Sequence, residues 1–115
     1  MEVLVVPVNK KTKEAFFNLL DERNPLSLIW FLDINHNLEE GCFVFFPEIK
    51  KVVRLYKIEE VHFNYIVLSK AIADFMWFEW SYVCNSNEDT LNIDTYIISK
   101  EKTRGIYNYF NSKIK

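Results

Sequence analysis

The chain opens on an apolar run without alternation, Val3-Leu4-Val5-Val6, inside residues 2–8, which read as a strand. Successive strand side chains point to opposite faces, so an unbroken apolar strand implies a sheet covered on both sides. Pro7 has no N–H for a ladder and belongs at a strand end or an edge. A helix is expected over residues 10–23. Asn9 stands where a side-chain oxygen can cap the first turn, Phe16, Leu19, Leu20 and Arg23 recur at helical spacing, and Asn24-Pro25 stops the helix.

Residues 26–32 are too short and too apolar for their period to decide between strand and short helix, and strand is favoured. Residues 33–41 form a polar loop. From Gly41 onward the pattern is rich in strands: residues 42–46, ended by Pro47, then 52–58, 61–68, 75–83 and 91–98. Glu59-Glu60 between the second and third of these predicts a hairpin. In the 61–68 strand Val61, Phe63, Tyr65 and Val67 share one face. In the 75–83 strand Phe75, Trp77 and Glu79 share one face and Met76, Phe78, Trp80 and Tyr82 the other. Residues 85–90 read as a turn or loop. Ser99 caps a terminal helix whose apolar stripe is Thr103, Ile106, Tyr107, Phe110 and Ile114. Gly105 costs that helix roughly 1 kcal/mol relative to Ala.

These elements predict one α+β domain spanning residues 1–115. Its sheet is antiparallel and curved, or a partial barrel, with about five to seven strands, a helix in the N-terminal half and a C-terminal helix. Half of the 115 residues are hydrophobic and 17% are aromatic, so the core needs neither a disulfide nor a metal to hold it. Cys42 and Cys84 lie in apolar runs and are expected as buried free thiols. Residues 1–8 carry no basic segment or small-residue cleavage site, and no apolar run approaches the roughly 20 residues of a membrane span. The expectation is a cytoplasmic protein without a membrane. The chain is rich in Asn, Lys, Ile, Phe and Tyr, with only 2 Gly and 3 Pro. That balance follows AT-rich codons and suggests a phage or another AT-rich mobile element as its source.

Net charge is −2, which counts against a phosphate-clamping surface and makes nucleic acid the less expected partner. The two glycines, Gly41 and Gly105, cannot build a glycine-rich phosphate loop. His36 sits in a loop with Asp33, Glu39 and Glu40 and reads as part of a solvated acidic segment. His62 reads as a surface residue on the polar face of a strand, and neither histidine is placed to begin a metal site. No nucleophile signature surrounds either cysteine, and the pairs Glu39-Glu40 and Glu59-Glu60 read as solvated charge. No catalytic residue, cofactor or metal is expected.

Residues 38–46, Leu-Glu-Glu-Gly-Cys-Phe-Val-Phe-Phe following Trp30, resemble the start of the central strand in PUA-like domains, where a glycine precedes an apolar strand of a small pseudobarrel. The resemblance spans about ten residues and implies a module that binds RNA or modified bases. The residues themselves favour a different class. Consecutive aromatics in 75–82 must point to both faces of a strand. The face carrying Phe75, Trp77 and Glu79 then has the mixed apolar and charged character of a contact surface. The expected function is a non-enzymatic protein-binding module, an inhibitor or accessory protein, with those three residues at the seam with a protein partner or a second copy. A nucleic-acid or nucleotide-binding small barrel is the alternative.

Overall fold

The apolar run at the N-terminus becomes β1 (Val3–Val5), and all three of its side chains are buried, as cover on both faces requires. The computed structural model describes residues 2–21, 23, 28–32, 38–48, 50–85, 95–98 and 100–114. β1 is flanked by β3 (Phe43–Phe46), which runs parallel to it, and by β7 (Tyr96–Ile98), which runs antiparallel. β3 in turn pairs antiparallel with β4 (Val52–Val61). Opposite β3, the other edge of β4 carries β6 (Ala73–Met76) along its first half and β5 (Tyr65–Leu68) along its second. β2 (Ile29–Phe31) completes the set by pairing with β5.

The result is an α+β fold on a seven-stranded mixed sheet that is curved but not closed into a barrel. The register of β4 shifts between Ile58 and Glu60, the kind of irregularity that bends a strand and raises its twist. β4 thereby passes from the layer of β7-β1-β3-β4-β6 into that of β4-β5-β2. Between β5 and β6 the ladder is kept by Ser69 N–H to Lys57 C=O (2.8 Å) and Ile72 N–H to Leu55 C=O (2.9 Å). Gly41 turns the chain into β3 at φ +87°, a conformation that side-chain-bearing residues rarely adopt.

Two apolar layers sandwich the central strands, and strand alternation decides which residue enters which. Leu4, Val44, Phe46, Tyr56, Ile58, Ile66 and Leu68 join Phe16 and Leu19 on one side. Those last two come from α1 (Lys13–Leu19). Val3, Val5, Phe43, Phe45, Val53, Leu55 and Phe75 form the other layer. That layer is closed by Trp80 from α2 (Trp77–Cys84) and by Ile106 and Phe110 from α3 (Lys100–Lys113). The stripe expected on the C-terminal helix is therefore the one that packs: Thr103, Ile106 and Phe110 are buried.

Four expectations change. Residues 77–84 are a helix, not the continuation of a strand. β6 stops at Met76, the partner of Val52, where β4 itself begins, so no ladder remains for Trp77 to join. The run is almost wholly apolar, so its period distinguishes helix from strand poorly. Asn85, at φ 51°, ends the helix in the left-handed cap that Asn tolerates. Second, α1 is shorter than expected. Asn9 does not cap it directly. Its Oδ1 accepts the N–H groups of Lys11 (2.9 Å) and Thr12 (3.3 Å), forming a turn that precedes the helix. At the other end the Leu20 N–H is shared between the carbonyls of Phe16 and Phe17, both at 3.2 Å, which tightens and ends the last turn. Third, the sheet is not wholly antiparallel, because β1 and β3 run parallel. Fourth, Glu59-Glu60 lie within β4, and the hairpin to β5 turns over residues 62–64. His36, the Asn24-Pro25 stop, Ser99 and residues 91–94 of the expected last strand lie outside the described residues.

Candidate functional site

α1 has seven residues and so spans only about 10 Å, at about 1.5 Å per residue. It covers the middle of one sheet face and leaves the part over β4 and β6 open. There the cross-strand partners Val52 and Met76, with Arg54 beside them, meet the flank of α1 at Phe16 and Leu20. A groove of about 450 Å³ results, floored by Phe16, Leu20, Val52 and Met76 and bordered by Glu48, Lys50, Lys51 and Arg54. A second, more open depression adjoins it along Leu20 and Arg54 and adds Phe17, Asp21 and Arg23. Four large apolar side chains of these two concavities are exposed to water: Phe17 at 52%, Leu20 at 37%, Val52 at 45% and Met76 at 54%.

The same end of the molecule is basic, and the parallel pairing is the reason. Because β1 and β3 run the same way, the segments leaving them emerge side by side. The Val8 N–H donates to the Pro47 carbonyl at 2.9 Å. Lys10, Lys11 and Lys13 follow β1, Lys50 and Lys51 follow β3, and all five are exposed. Glu14 and Glu48 lie among them, and Lys51 pairs with Glu48 at 2.9 Å. In the sequence these are two short clusters some forty positions apart. An antiparallel meander gives no cause to bring them together, so this patch was not readable from the sequence.

Lys50 is held at φ 57°. A residue with a Cβ pays a conformational penalty there that Gly does not. Lys50→Gly is expected to raise stability by up to about 1 kcal/mol. The check is a denaturant titration of the two chains, and an unchanged or lower midpoint would contradict the strain.

Phe75, Trp77 and Glu79 do not share an open face. Phe75 is buried, its ring centroid 4.4 Å from that of Phe110. Trp77 is half-buried and packs against the same core layer. Glu79 accepts a hydrogen bond from the Tyr109 hydroxyl (3.0 Å) and pairs with Lys113 (3.6 Å), which ties α2 to α3. That hydrogen bond raises the Tyr109 pKa, because the phenol proton is held by a carboxylate. The exposed residues of the stretch are Met76, Phe78 and Tyr82. The last two stand one helical turn apart on α2, at 67% and 86% exposure. A third apolar surface is the tip joining β4 to β5, where His62 stacks on Tyr65 at 4.4 Å, Phe31 lies 5.9 Å from Tyr65, and Phe63 is fully exposed. Glu60 lies 3.3 Å from His62.

Cys42 and Cys84 belong to opposite core layers and both are free thiols; Cys42 is buried as expected, whereas Cys84, at the end of α2, is only half-buried. Cys42 Sγ accepts the Glu39 N–H at 3.4 Å. Burial pushes the Cys84 thiol up to about 12 from an ordinary value of 9.0. A raised pKa favours the protonated thiol in the folded state. Its stabilising contribution is therefore complete below pH 9 and is lost as pH climbs towards 12. Iodoacetamide at pH 8 is expected to leave both cysteines unmodified in the folded chain and to label both in denaturant. Rapid labelling of the folded protein would contradict this burial. Among the described residues no group of three or more His, Cys, Asp or Glu side chains could hold a metal ion. None of the described helices is long and apolar enough to cross a membrane.

Comparison of the chain with family models, with curated proteins and with solved structures gave no match.

Proposed function

We propose that this chain is a non-enzymatic protein-binding module, an inhibitor or accessory protein of the kind that AT-rich mobile elements encode, acting in the cytoplasm. The observation that carries the reading is the open sheet face beside α1. Phe17, Leu20, Val52 and Met76 are exposed next to one another around a concave surface bordered by charge. Scattered exposed apolar residues are ordinary on a soluble protein, whereas a contiguous patch with a polar rim is the usual mark of a contact surface. Phe75, Trp77 and Glu79 hold α2 in place beneath that reading, and Met76 is the residue of the stretch that opens onto the groove.

The experiment is affinity capture from lysate of the native cells, with the wild-type chain and Leu20→Asp as parallel baits. A partner retained by the wild type and reduced at least about tenfold on the variant, at an unchanged melting temperature, is the expected result. Retention of the same proteins by both baits, or of none by either, contradicts it. The lysine clusters are the observation in favour of nucleic acid. A mobility shift with generic duplex DNA near physiological salt is expected to show weak or no binding. Tight binding that falls steeply with added salt would instead support the nucleic-acid reading.

A further inference from the structure

We propose that the groove beside α1 takes the β4–β5 tip of a second copy of the chain, so that copies join head to tail. The inference goes beyond the protein-binding reading, because it concerns what fills the groove when no other protein does. Groove and tip stand at opposite ends of β4. Val52 begins that strand at the groove, and Val61 ends it at the tip. Ten residues at about 3.3 Å each put the two ends up to about 30 Å apart, nearly the full extent of a molecule measuring 32 × 29 × 27 Å. A tip therefore cannot reach the groove of its own chain.

Shape and charge fit the two ends to each other. The tip protrudes and is apolar: Phe63 is fully exposed in its turn, with Phe31 at 71% and Val61 at 41% beside it. The groove is concave, and its open floor holds Leu20, Val52 and Met76. Carboxylates surround the tip. Glu59 and Glu60 lie near the end of β4, and Glu39 and Glu40 are brought beside them because the Gly41 N–H donates to the Ile58 carbonyl at 2.8 Å. All four are exposed, and residues 38–43 and 58–66 include no Lys or Arg. The groove end has the opposite sign. The five lysines beside it meet two carboxylates, Glu14 and Glu48, among the described residues. Its two arginines are each matched by an aspartate, Arg54 by Asp74 at 3.0 Å and Arg23 by Asp21 at 3.5 Å. That surplus is a sum over the whole end and stands however those groups pair among themselves. A chain whose net charge is −2 thus carries one cationic end and one acidic end, and each copy presents to the next the complement it lacks.

A contact between two different patches leaves every copy one groove and one tip to offer, so copies add in a chain or close into a ring. The tip brings three apolar side chains, where a stable interface engages about 20–30 residues a side. The contact is therefore weak, with a dissociation constant of about 0.1–1 mM. Below that range the groove stands open to a partner protein.

Sedimentation velocity of the full chain between about 10 μM and about 1 mM is the test. The sedimentation coefficient is expected to rise across that range at about 0.05 M salt and to rise much less at about 0.5 M, where exposed charges are screened. Phe63→Ser and Met76→Asp are each expected to weaken association at least about tenfold at an unchanged melting temperature, since both side chains are exposed. Mixed together, the two variants supply one intact groove and one intact tip, and they are expected to form a dimer of one copy of each that grows no further. The inference fails if the chain stays monomeric at about 1 mM. It fails equally if Phe63→Ser leaves association unchanged, if mixing the variants restores nothing, or if Tyr82→Ser abolishes association that Met76→Asp leaves intact. Binding of a labelled oligonucleotide by a chain that stays monomeric assigns the cationic end to nucleic acid and also overturns it. Leu20-dependent capture of another protein by a chain that stays monomeric overturns the inference and leaves the protein-binding reading standing. Self-association without any such capture does the reverse.

Discussion

Trp80→Ala is expected to cost the fold about 3–5 kcal/mol, the largest loss of any single substitution considered for this chain. The side chain is fully buried and is the largest to be so. Its ring lies 4.7 Å from that of Phe45, in the layer that Phe110 also fills. Truncation leaves a cavity between the sheet and α2 that neither α3 nor β3 can close without moving. Trp80→Phe is expected to cost much less. The indole N–H has no acceptor among the described residues, so phenylalanine removes a buried polar group that was already unsatisfied. Chemical denaturation of both variants checks this. A loss below about 1 kcal/mol for Trp80→Ala would contradict the burial of this side chain under α2.

Tyr107→Phe is expected to cost about 1–3 kcal/mol although it removes one oxygen atom. The Tyr107 hydroxyl accepts the Phe43 N–H at 2.7 Å and donates to the Glu2 carbonyl at 3.2 Å. It joins α3 to the starts of both parallel strands, β1 and β3. Burial raises its pKa, as expected for a hydroxyl held away from water. The ring stacks on Phe43 at 4.2 Å and 8°, and phenylalanine can keep that contact, so the substitution isolates the polar link. Loss of stability should be accompanied by faster hydrogen exchange at the Phe43 amide. An unchanged midpoint with unchanged exchange would show that water replaces the hydroxyl at no cost.

The strands that were legible in the sequence are short apolar runs whose length and flanking Pro7, Gly41 and Pro47 decide for strand, and the legible helix is one with a clear apolar stripe. Val3-Leu4-Val5 and Phe43-Val44-Phe45-Phe46 are apolar at every position, and both are buried on both faces. Thr103, Ile106 and Phe110 recur at helical spacing and form the buried stripe of α3. Trp77 to Cys84 was not legible, because nearly every residue in it is apolar and such a run satisfies both periods. Asn85 was the available signal, since Asn just past an apolar run is a common left-handed helix stop. The candidate site was less legible still. Its floor joins Leu20, Val52 and Met76 from three separate elements. Its lysines come together only because β1 and β3 are parallel, a long-range pairing that no local pattern encodes. Phe75, Trp77 and Glu79 stood out because aromatics cluster there. Met76, a less conspicuous residue in the same stretch, is the one that reaches the open groove.

The central claim is that partners are taken at the open face beside α1 and not at the other two exposed apolar surfaces. Site-specific photo-crosslinking inside the native cells tests it directly, with a benzophenone side chain placed in separate chains at Met76, at Tyr82 on α2, or at Phe63 on the β4–β5 tip. All three positions are solvent-exposed, so each can carry the probe without disturbing the core. A covalent protein adduct from position 76, absent from positions 82 and 63, is the predicted result. Adducts from position 82 or 63 with none from 76, or no adduct from any of the three, would contradict it.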